Sequence, residues 1–266
     1  MPGVKFVSSL EKGLKVLESF TSANPRLKLQ QITNRVGLPK VTVFRFVRTL
    51  VKLGYISHDA ESRTYSLTPR MLSLGFTVLS SIDLRDVALP YLEELSRITG
   101  QNVNLGVMDG TEVVYIERVR RRQTAAIELY VGSRVNMYRT SIGLAILAFL
   151  SHDKVQTTLD EMLKDPETVK YTGSKGERLV AALQEVRRNG YALTDGEFIP
   201  GVRTIAAPIF DAKGCVEGAV NMPAFAVAVS REELVTRYLP LLLRTAEEIS
   251  AARGYAPPQT PAFPQR

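Results

Sequence analysis

Residues that form disulfides, bind metals or act as nucleophiles are scarce in this chain, and their scarcity excludes several kinds of chemistry. Cys215 is the one cysteine among 266 residues, which excludes an internal disulfide and suits a reducing cytosol. The two histidines, His58 and His152, lie far apart in the sequence and give no metal-ligand spacing. The sequence also lacks a Gly-x-Ser-x-Gly elbow and a phosphate-binding glycine loop. We therefore expect no catalytic residue, no metal and no cofactor.

Long apolar runs are missing as well. The longest one, Ile142–Leu150, is far shorter than the roughly 20 residues that a membrane-spanning helix needs. The first 15 residues carry scattered charges and have no apolar core of signal-peptide length. We expect a cytoplasmic protein that does not contact a membrane.

Positive charge is concentrated in the first quarter of the chain. Residues 1–70 carry 12 basic and 4 acidic residues, a balance of +8, whereas residues 71–266 balance at −1, which together give the total of +7. Between Arg26 and Lys52 there are seven basic residues and no acidic one. A confined basic stretch on a near-neutral chain indicates a segment that meets a polyanion. A solvated basic face without a partner produces the same pattern, so charge alone leaves both interpretations open.

Apolar spacing in the N-terminal region predicts a helix-turn-helix. One helix is expected within 7–20, where Leu10 and Leu14 share a face, and two more are expected within 29–36 and 39–53. The turn between the last two contains a glycine, and a proline follows where the first turn of the next helix is expected. In this motif the second helix of the pair enters the major groove of DNA.

The side chains left on the outer face of the third helix suit DNA. Arginine pairs bidentately with guanine, threonine reaches a base edge or a phosphate, and a lysine near the helix end suits phosphate. A β-hairpin is predicted over 55–67, and its turn suits the DNA backbone or minor groove. The candidate DNA-binding residues are Lys40, Val41, Thr42, Phe44, Arg45, Arg48, Thr49 and Lys52 on the helix, and Arg63 in the hairpin turn. A winged helix used only for protein contacts is the alternative, and the uncompensated positive charge argues against it.

The remainder of the chain predicts a linker helix and a second domain. A helix over Asp83–Thr99 should bury Leu84, Val87, Leu92, Leu95 and Ile98. Short strands, one of them at 125–132, and helices follow it. The strands are connected by hairpins and not by βαβ repeats, which argues for an α+β domain on an antiparallel sheet. The expected domains are a winged helix-turn-helix at 1–69, a linker helix at 70–82, an α+β domain at 83–254 and a proline-containing disordered tail at 255–266.

Several separated motifs, in the same order, resemble the IclR family of bacterial transcription regulators. They are SLEKGLKVLESF, LPKVTVFRFVRTLVKLGY, TYSLTPRMLSLG, YRTSIGLAILAFL and YALTDGEFIPGVRTIAAPIFD, and the resemblance spans about 250 residues. It implies a mixed α/β protein in which a winged helix-turn-helix binds double-stranded operator DNA and a GAF-like domain binds an effector. It also implies a homodimer or a dimer of dimers, which fits a palindromic operator. The family usually has serine where Val41 stands, and its recognition-helix arginine is matched by Arg45.

The resemblance also implies where a small-molecule effector binds. The candidate ligand-binding residues are Ile127, Leu129, Val135, Arg139, Ser141, Ile142, Gly143, Asp195, Thr204 and Asn221. Backbone amides at the helix start near Ser141 suit a carboxylate, because free N–H groups and the helix dipole favour an anion. Asp195 and Glu197 either orient a ligand hydroxyl or tie loops together, and Arg203 is interpreted as a structural cation.

One stretch, GSRVNMYRTSIG, is most similar to the branch of the family that controls aromatic-acid catabolism, which tends to read GSRLPAYCTSMGR. The proline, the cysteine and the last arginine of that pattern are replaced here by Asn136, Arg139 and Leu144. Arg139 either pairs with a ligand carboxylate in a bidentate fork or faces solvent or another subunit. We expect the ligand to be a small carboxylate, either an aromatic acid or a catabolite of one.

Three further interpretations concern charged groups and function. The arginines at 118, 120, 121 and 122 suggest nucleic-acid binding, but acidic residues are nearby, so we interpret the arginines as a solvated edge or an oligomer contact.

An enzyme that uses Asp195 and Glu197 for acid–base catalysis is disfavoured because no nucleophile is paired with a base. A constitutive architectural DNA binder is disfavoured by the length of the second domain.

Overall fold

The computed structural model describes residues 6–121 and 129–256, and the chain divides into two compact units between Ser81 and Ile82. The predicted linker helix belongs to the first unit. The Arg70 guanidinium donates to the Leu53 carbonyl at 2.9 Å and lies 5.0 Å from the centre of the Tyr55 ring. No helix in the described ranges is both long and apolar enough to cross a membrane.

The first unit combines helices with a small antiparallel sheet. Its elements are α1 (Ser8–Glu18), β1 (Arg26–Lys28), α2 (Leu29–Val36), α3 (Lys40–Lys52), β2 (Ile56–Asp59), β3 (Thr64–Leu67) and α4 (Arg70–Leu79). The strand order is β1-β3-β2, so β1, which the sequence pattern did not predict, adds a third strand to the predicted hairpin. The core of this unit contains Val16, Phe20, Leu27, Ile32, Val43, Val47 and Ile56. The predicted winged helix-turn-helix is confirmed.

The turn between α2 and α3 has the local geometry that its residues favour. Gly37 ends α2 with a φ of 68°, in the left-handed region where a residue with a side chain is strained. Pro39 precedes the first residue of α3 with a φ of −55°, within the range its ring allows. Helical spacing then directs Val43 and Val47 into the core and leaves the opposite face of α3 outside.

Two apolar surfaces of the first unit remain uncovered in the single chain. On α1, Leu10 and Leu14 are 63% and 49% exposed, and Val16 is the residue that enters the core. On α4 no residue is buried, although Leu72 and Phe76 are large and apolar. An apolar helix without a buried face indicates a surface that needs a partner.

The second unit is an α/β domain. Its described elements are α5 (Asp83–Thr99), β4 (Val103–Asp109), β5 (Glu112–Val119), β6 (Arg134–Asn136), a 3₁₀ turn (Met137–Arg139), α6 (Ser141–Leu147), α7 (His152–Met162), α8 (Pro166–Thr172), α9 (Glu177–Asn189), β7 (Ala192–Asp195), β8 (Val202–Phe210), β9 (Val216–Phe225), α10 (Arg231–Glu233), a π-helical turn (Leu234–Tyr238) and α11 (Leu239–Ala252). The strands form one antiparallel sheet in the order β6-β5-β4-β9-β8-β7.

Helices cover this sheet and create its core. Helices α6 and α9 share a buried cluster with strand residues such as Val113, Ala206 and Ala219. Helices α5 and α11 pack on each other and on the sheet strands. The tightest approach is at Gly143 of α6, where a Cβ atom would lie 2.3 Å from the Cα atom of Met137. Glycine at this position therefore lets the 3₁₀ turn pass directly against α6.

Some details of the predicted second domain differ from the structure. Ile98 is 50% exposed and Val87 half-buried, because the inward face of α5 also carries Ala88, Ser96 and Thr99. Helices α7 and α8 were not predicted. Of the strand expected at 125–132, residues 129–132 lie in a loop and the others fall outside the described residues. Tyr255, assigned to a disordered tail, donates its amide to the Ser250 carbonyl at 2.9 Å, and residues 257–266 fall outside the described ranges.

Candidate functional site

The outward face of α3 carries the side chains that the sequence singles out for DNA. Exposed along it are Lys40, Val41, Phe44, Arg45, Arg48, Thr49 and Lys52, with Thr42 half-buried beside them. The Arg48 guanidinium lies 5.7 Å from the centre of the Phe44 ring. Thr49 donates its hydroxyl to the Arg45 carbonyl at 3.0 Å, so its oxygen remains an acceptor. Four of the seven basic residues between positions 26 and 52 are therefore exposed on α3, namely Lys40, Arg45, Arg48 and Lys52.

The hairpin turn after β2 is fixed by a carboxylate. Asp59 accepts the Ser62 hydroxyl at 2.7 Å and the Glu61 amide at 3.0 Å, and these hydrogen bonds, with that from Ser62 first, lower the pKa of the exposed Asp59 carboxyl. Arg63 follows with a φ of 54°, in the left-handed region, and is exposed. A turn held by Asp59 therefore keeps Arg63 at the end of the hairpin.

A cavity with about 450 Å³ of space between protein atoms, part of it open to solvent, lies in the second unit where α6 begins over the sheet. The centre of a water-sized sphere can reach only about 30 Å³ of this space, so the cavity is nearly closed in this structure. The cavity is lined by Asn104, Tyr115, Arg118, Leu129, Thr140, Ser141, Thr194, Phe198, Ile199, Val202, Thr204, Asn221 and Pro223. Strand register explains part of this set, because Thr194 pairs with Thr204 and Thr204 pairs with Pro223, which places all three on one face of the sheet.

A β-bulge in β5 brings two polar residues to the cavity. In the pairing with β4, Tyr115 and Glu117 face successive residues of β4, so Ile116 is the extra residue. Because of this extra residue, Tyr115 and Arg118 both line the cavity although they are three positions apart. Burial lowers the pKa of the Arg118 guanidinium, with the nearby Arg120 charge acting in the same direction.

A hydrogen-bonded network runs along the buried side of the cavity. Nδ2 of Asn104 donates to Oδ1 of Asn221 at 2.8 Å, and Nδ2 of Asn221 donates to the Tyr115 hydroxyl at 3.3 Å. The Tyr115 oxygen accepts this bond and so keeps its own proton to donate. Burial raises the pKa of Tyr115 to about 12, although the Asn221 bond acts in the opposite direction. Tyr115 is therefore a neutral donor at physiological pH.

Two buried polar atoms of the cavity have no partner within the described part of the chain. They are the Oγ atom of Ser141, a residue that is 1% exposed, and the Oδ1 atom of Asn104. Leaving a buried polar atom without a hydrogen bond costs about 1–3 kcal/mol. Both atoms are therefore open to a hydrogen bond from water or from a bound molecule.

Of the predicted ligand-binding residues, the structure brings Leu129, Ser141, Thr204 and Asn221 together around this cavity. Ile127 falls outside the described residues.

The other predicted ligand-binding residues lie elsewhere. Val135 and Ile142 are buried in the apolar cluster beneath α6, and Gly143 packs against the 3₁₀ turn. Asp195 is the neighbour of the inward Thr194, so its side chain lies on the other side of the strand and pairs with Arg203 at 2.9 Å. Arg139 lies outside the cavity and donates to the Glu197 carbonyl.

One of the helix-start amides near Ser141, that of Gly143, is occupied by a capping side chain. The Gly143 amide donates to the Thr140 hydroxyl at 3.3 Å, and the Leu144 amide donates to the Thr140 carbonyl at 2.9 Å. Thr140 thus caps α6, which is only seven residues long. The cap occupies the Gly143 amide, and the predicted role of the helix-start amides of Ser141 and Ile142 stays a prediction.

The described arginines after β5 donate to backbone carbonyls of the second unit. Arg118 and Arg120 both donate to the Leu129 carbonyl, and Arg121 donates to the Ser96 carbonyl at 3.1 Å. Arg122 lies outside the described residues. These contacts hold the loop at Leu129 beside the cavity. Arg120 remains exposed, and the alternative of an oligomer contact stays a prediction.

Sequence comparison places both units in one family. Residues 9–60 match the model described as the IclR helix-turn-helix domain, and residues 76–251 match the bacterial transcriptional regulator IclR C-terminal model. The Pca regulon regulatory protein of Pseudomonas putida is 36% identical over 254 residues, which cover 92% of this chain and 83% of that protein. The p-hydroxybenzoate hydroxylase transcriptional activator of Acinetobacter baylyi is 29% identical over 249 residues, 92% of this chain and 91% of that protein.

A solved structure shows the same architecture. The crystal structure of a transcriptional regulator from Rhodococcus sp. RHA1 has a TM-score of 0.76 and 34% identity, and the alignment covers 93% of this chain and 98% of that one. The chain belongs to the IclR family of DNA-binding transcription regulators. Its relatives are consistent with the branch that regulates aromatic-acid catabolism. The first unit accordingly binds operator DNA, and the second is the effector-binding domain.

Proposed function

We propose that this regulator senses a small carboxylate, an aromatic acid or a catabolite of one, in the cavity beneath α6. The observation that carries the proposal is the unpartnered, buried Ser141 hydroxyl beside the Tyr115–Asn221–Asn104 network. A ligand that accepts hydrogen bonds from Ser141 and Tyr115 would satisfy groups that the protein leaves open.

The residues that line the cavity support this ligand class. Arg118 places a half-buried guanidinium on its wall, and a carboxylate next to it forms a charge-assisted hydrogen bond. The apolar side chains of Leu129, Phe198, Val202 and Pro223 suit a flat ring or a short carbon chain. The names of the similar proteins from P. putida and A. baylyi support the aromatic assignment.

We further propose that the protein acts as a homodimer or a dimer of dimers through the uncovered apolar surfaces of α1 and α4. Ligand binding would change the geometry of this assembly and with it the separation of the two α3 helices. Coupling of this kind is typically about 1–3 kcal/mol, which changes operator affinity by roughly 5–150-fold.

The protein binds its ligand without converting it. Asp195, the carboxylate considered for acid–base work, is paired with Arg203 away from the cavity. The polar groups on the cavity wall are amides, hydroxyls and a guanidinium, which orient a ligand but form no nucleophile–base pair.

A thermal-shift screen of the full chain tests the ligand assignment. The probes are protocatechuate, 4-hydroxybenzoate, muconate, β-ketoadipate and small keto acids. Binding to the native state alone stabilises a protein by roughly 2.7 kcal/mol at a hundredfold excess over the dissociation constant. We expect an aromatic acid or β-ketoadipate-pathway acid to raise the melting temperature of the wild type and of the control Ser151→Ala, and to have a much weaker effect on Ser141→Ala.

A shift by keto acids alone would contradict the aromatic assignment, and no shift by any acid would contradict the carboxylate proposal. Turnover of a bound acid would contradict the proposal that the protein is not an enzyme.

A further inference from the structure

The Arg139 side chain joins two parts of the second unit that are distant in sequence. Its Nε atom donates to the Glu197 carbonyl oxygen at 3.1 Å, and its Nη2 atom donates to the same oxygen. The guanidinium also lies 5.4 Å from the centre of the Tyr171 ring, which is itself 5.4 Å from the Tyr138 ring. Cation–π contact of this kind holds the arginine plane in place.

The segment that accepts these bonds forms a wall of the ligand cavity. It is the turn 196–201, and its Phe198 and Ile199 side chains line the cavity. Two glycines bound the turn, Gly196 with a φ of 91° and Gly201 with a φ of 77°. Positive φ at both ends means that the turn is joined to β7 and β8 by residues with unusual conformational freedom.

Few backbone bonds hold this turn to the rest of the unit. The Gly196 amide donates to the Val202 carbonyl at 3.0 Å, and the Ala226 amide donates to the Gly201 carbonyl at 2.9 Å, so both bonds lie at the glycine ends. Between the glycines, the Val202 amide donates back to the Ile199 carbonyl within the turn itself. Two side-chain bonds also reach the middle of the turn: the Glu197 carboxylate accepts the Asp195 amide, and the Arg139 guanidinium, from the 3₁₀ turn before α6, donates to the Glu197 carbonyl.

The other side of the same turn faces an open groove. Arg139, Lys170, Arg178 and Glu197 line this groove together with Tyr171. Thr194 lines both the groove and the inner cavity, so a single layer of residues separates the two spaces. Movement of the turn would connect them.

We propose that Arg139 is a positioning residue that holds the 196–201 turn closed over the ligand cavity, and that ligand passes between the groove and the cavity when the Arg139–Glu197 contact opens. The inference rests on the proposed ligand-binding role of the cavity. Arg139 acts through the Glu197 carbonyl and does not contact the ligand. Its effect falls on the rates of ligand entry and exit.

Hydrogen–deuterium exchange on the free, full-length protein tests the closed turn without any ligand. Arg139→Ala should raise exchange in peptides covering 196–202 on the order of tenfold, the effect of losing one hydrogen bond from a charged donor. Arg139→Lys keeps one donor and should restore part of the protection. Lys170→Ala removes a cation from the same groove and should leave the segment unchanged. Unchanged exchange in the β8 and β9 peptides of each variant shows that it is folded.

Stopped-flow binding of 4-hydroxybenzoate separates positioning from ligand contact. If Arg139 holds the turn closed, Arg139→Ala raises the association and dissociation rates by similar factors and changes the dissociation constant little. If Arg139 contacts the ligand, the dissociation rate alone rises, which would overturn the proposal. Wild-type exchange at 196–202 in Arg139→Ala would overturn it as well. Failure of the wild type to bind any acid in the thermal-shift screen would instead count against the proposed function, and the exchange result would still decide the role of Arg139.

Discussion

Arg85 on α5 and Glu117 on β5 form an ion pair with a separation of 2.7 Å between Nη2 and the carboxylate. The Glu117 side chain is only 11% exposed, and its other oxygen accepts the Arg118 amide at 2.8 Å. Since Arg118 lines the cavity, the Glu117 carboxylate joins the cavity strand to α5 within the second unit.

Glu117→Gln should destabilise the second unit. The substitution removes the counter-charge of Arg85 in a largely buried position, and Arg85 keeps only the exposed Asp86 at 3.2 Å. We expect the free energy of unfolding to fall by about 1–2 kcal/mol, less than for a fully buried pair because Arg85 is partly exposed. Urea denaturation measures the change. Glu94→Gln, which breaks the exposed Glu94–Arg97 pair, should have little effect, and equal losses in both variants would contradict the argument.

Arg45→Ala should weaken operator binding. Arg45 is exposed on the outward face of α3, and an arginine that reads a base edge contributes about 1–3 kcal/mol. Fluorescence anisotropy with DNA from the upstream region of the gene and with random DNA measures the loss. Arg188→Ala on α9 removes the same charge from the other unit and is the matched control. An equal loss on both DNAs would show that Arg45 contacts phosphate only.

Phe76→Glu should dissociate the assembly if α4 is covered by another copy. A glutamate in an apolar contact introduces a charge that must be desolvated on association. Light scattering after size-exclusion chromatography measures the molar mass, with Gln184→Glu on α9 as a control for added negative charge. An unchanged molar mass in Phe76→Glu would exclude this residue from the interface.

Tyr115 should make stability fall at alkaline pH. A tyrosine in the unfolded chain ionises near pH 10, and burial raises the pKa of Tyr115 to about 12. Because the folded pKa is the higher one, the contribution of Tyr115 is fully present below pH 10 and is lost as the pH rises toward 12. By pH 11 the loss is about 1.4 kcal/mol. Urea denaturation from pH 9 to 11 should show this excess loss in the wild type relative to Tyr115→Phe, and parallel curves would contradict it.

The DNA-binding face of α3 could be predicted from the sequence because it depends on the periodicity of a single helix. Once the apolar spacing places Val43 and Val47 inward, the remaining side chains of α3 have to face outward. The cavity depends on strand pairing, where a shift of one residue exchanges the two faces. Asp195 was predicted from the family resemblance, whereas its neighbour Thr194 lines the cavity, and the register of β7 with β8 that decides between them is not visible in the residues themselves.

Arg118 and Tyr115 were missed for a second reason. A bulge interrupts the two-residue alternation of β5, and the amino-acid composition of β5 does not predict the bulge. Asn104 and Asn221 carried a clearer signal, because asparagine is depleted in strands and a buried one needs partners. Asn221 was predicted, and pairing Asn104 with it would have required knowledge of the β4–β9 register.

The bulge at Ile116 determines which charge the cavity presents. In a strand of unbroken alternation, Glu117 would share the face of Tyr115, and Arg118 would face α5 instead. The cavity wall would then carry a carboxylate in place of a guanidinium, and Arg85 and Arg118 would repel each other across the helix–sheet contact. The one extra residue therefore decides which charged side chain lies on the cavity wall.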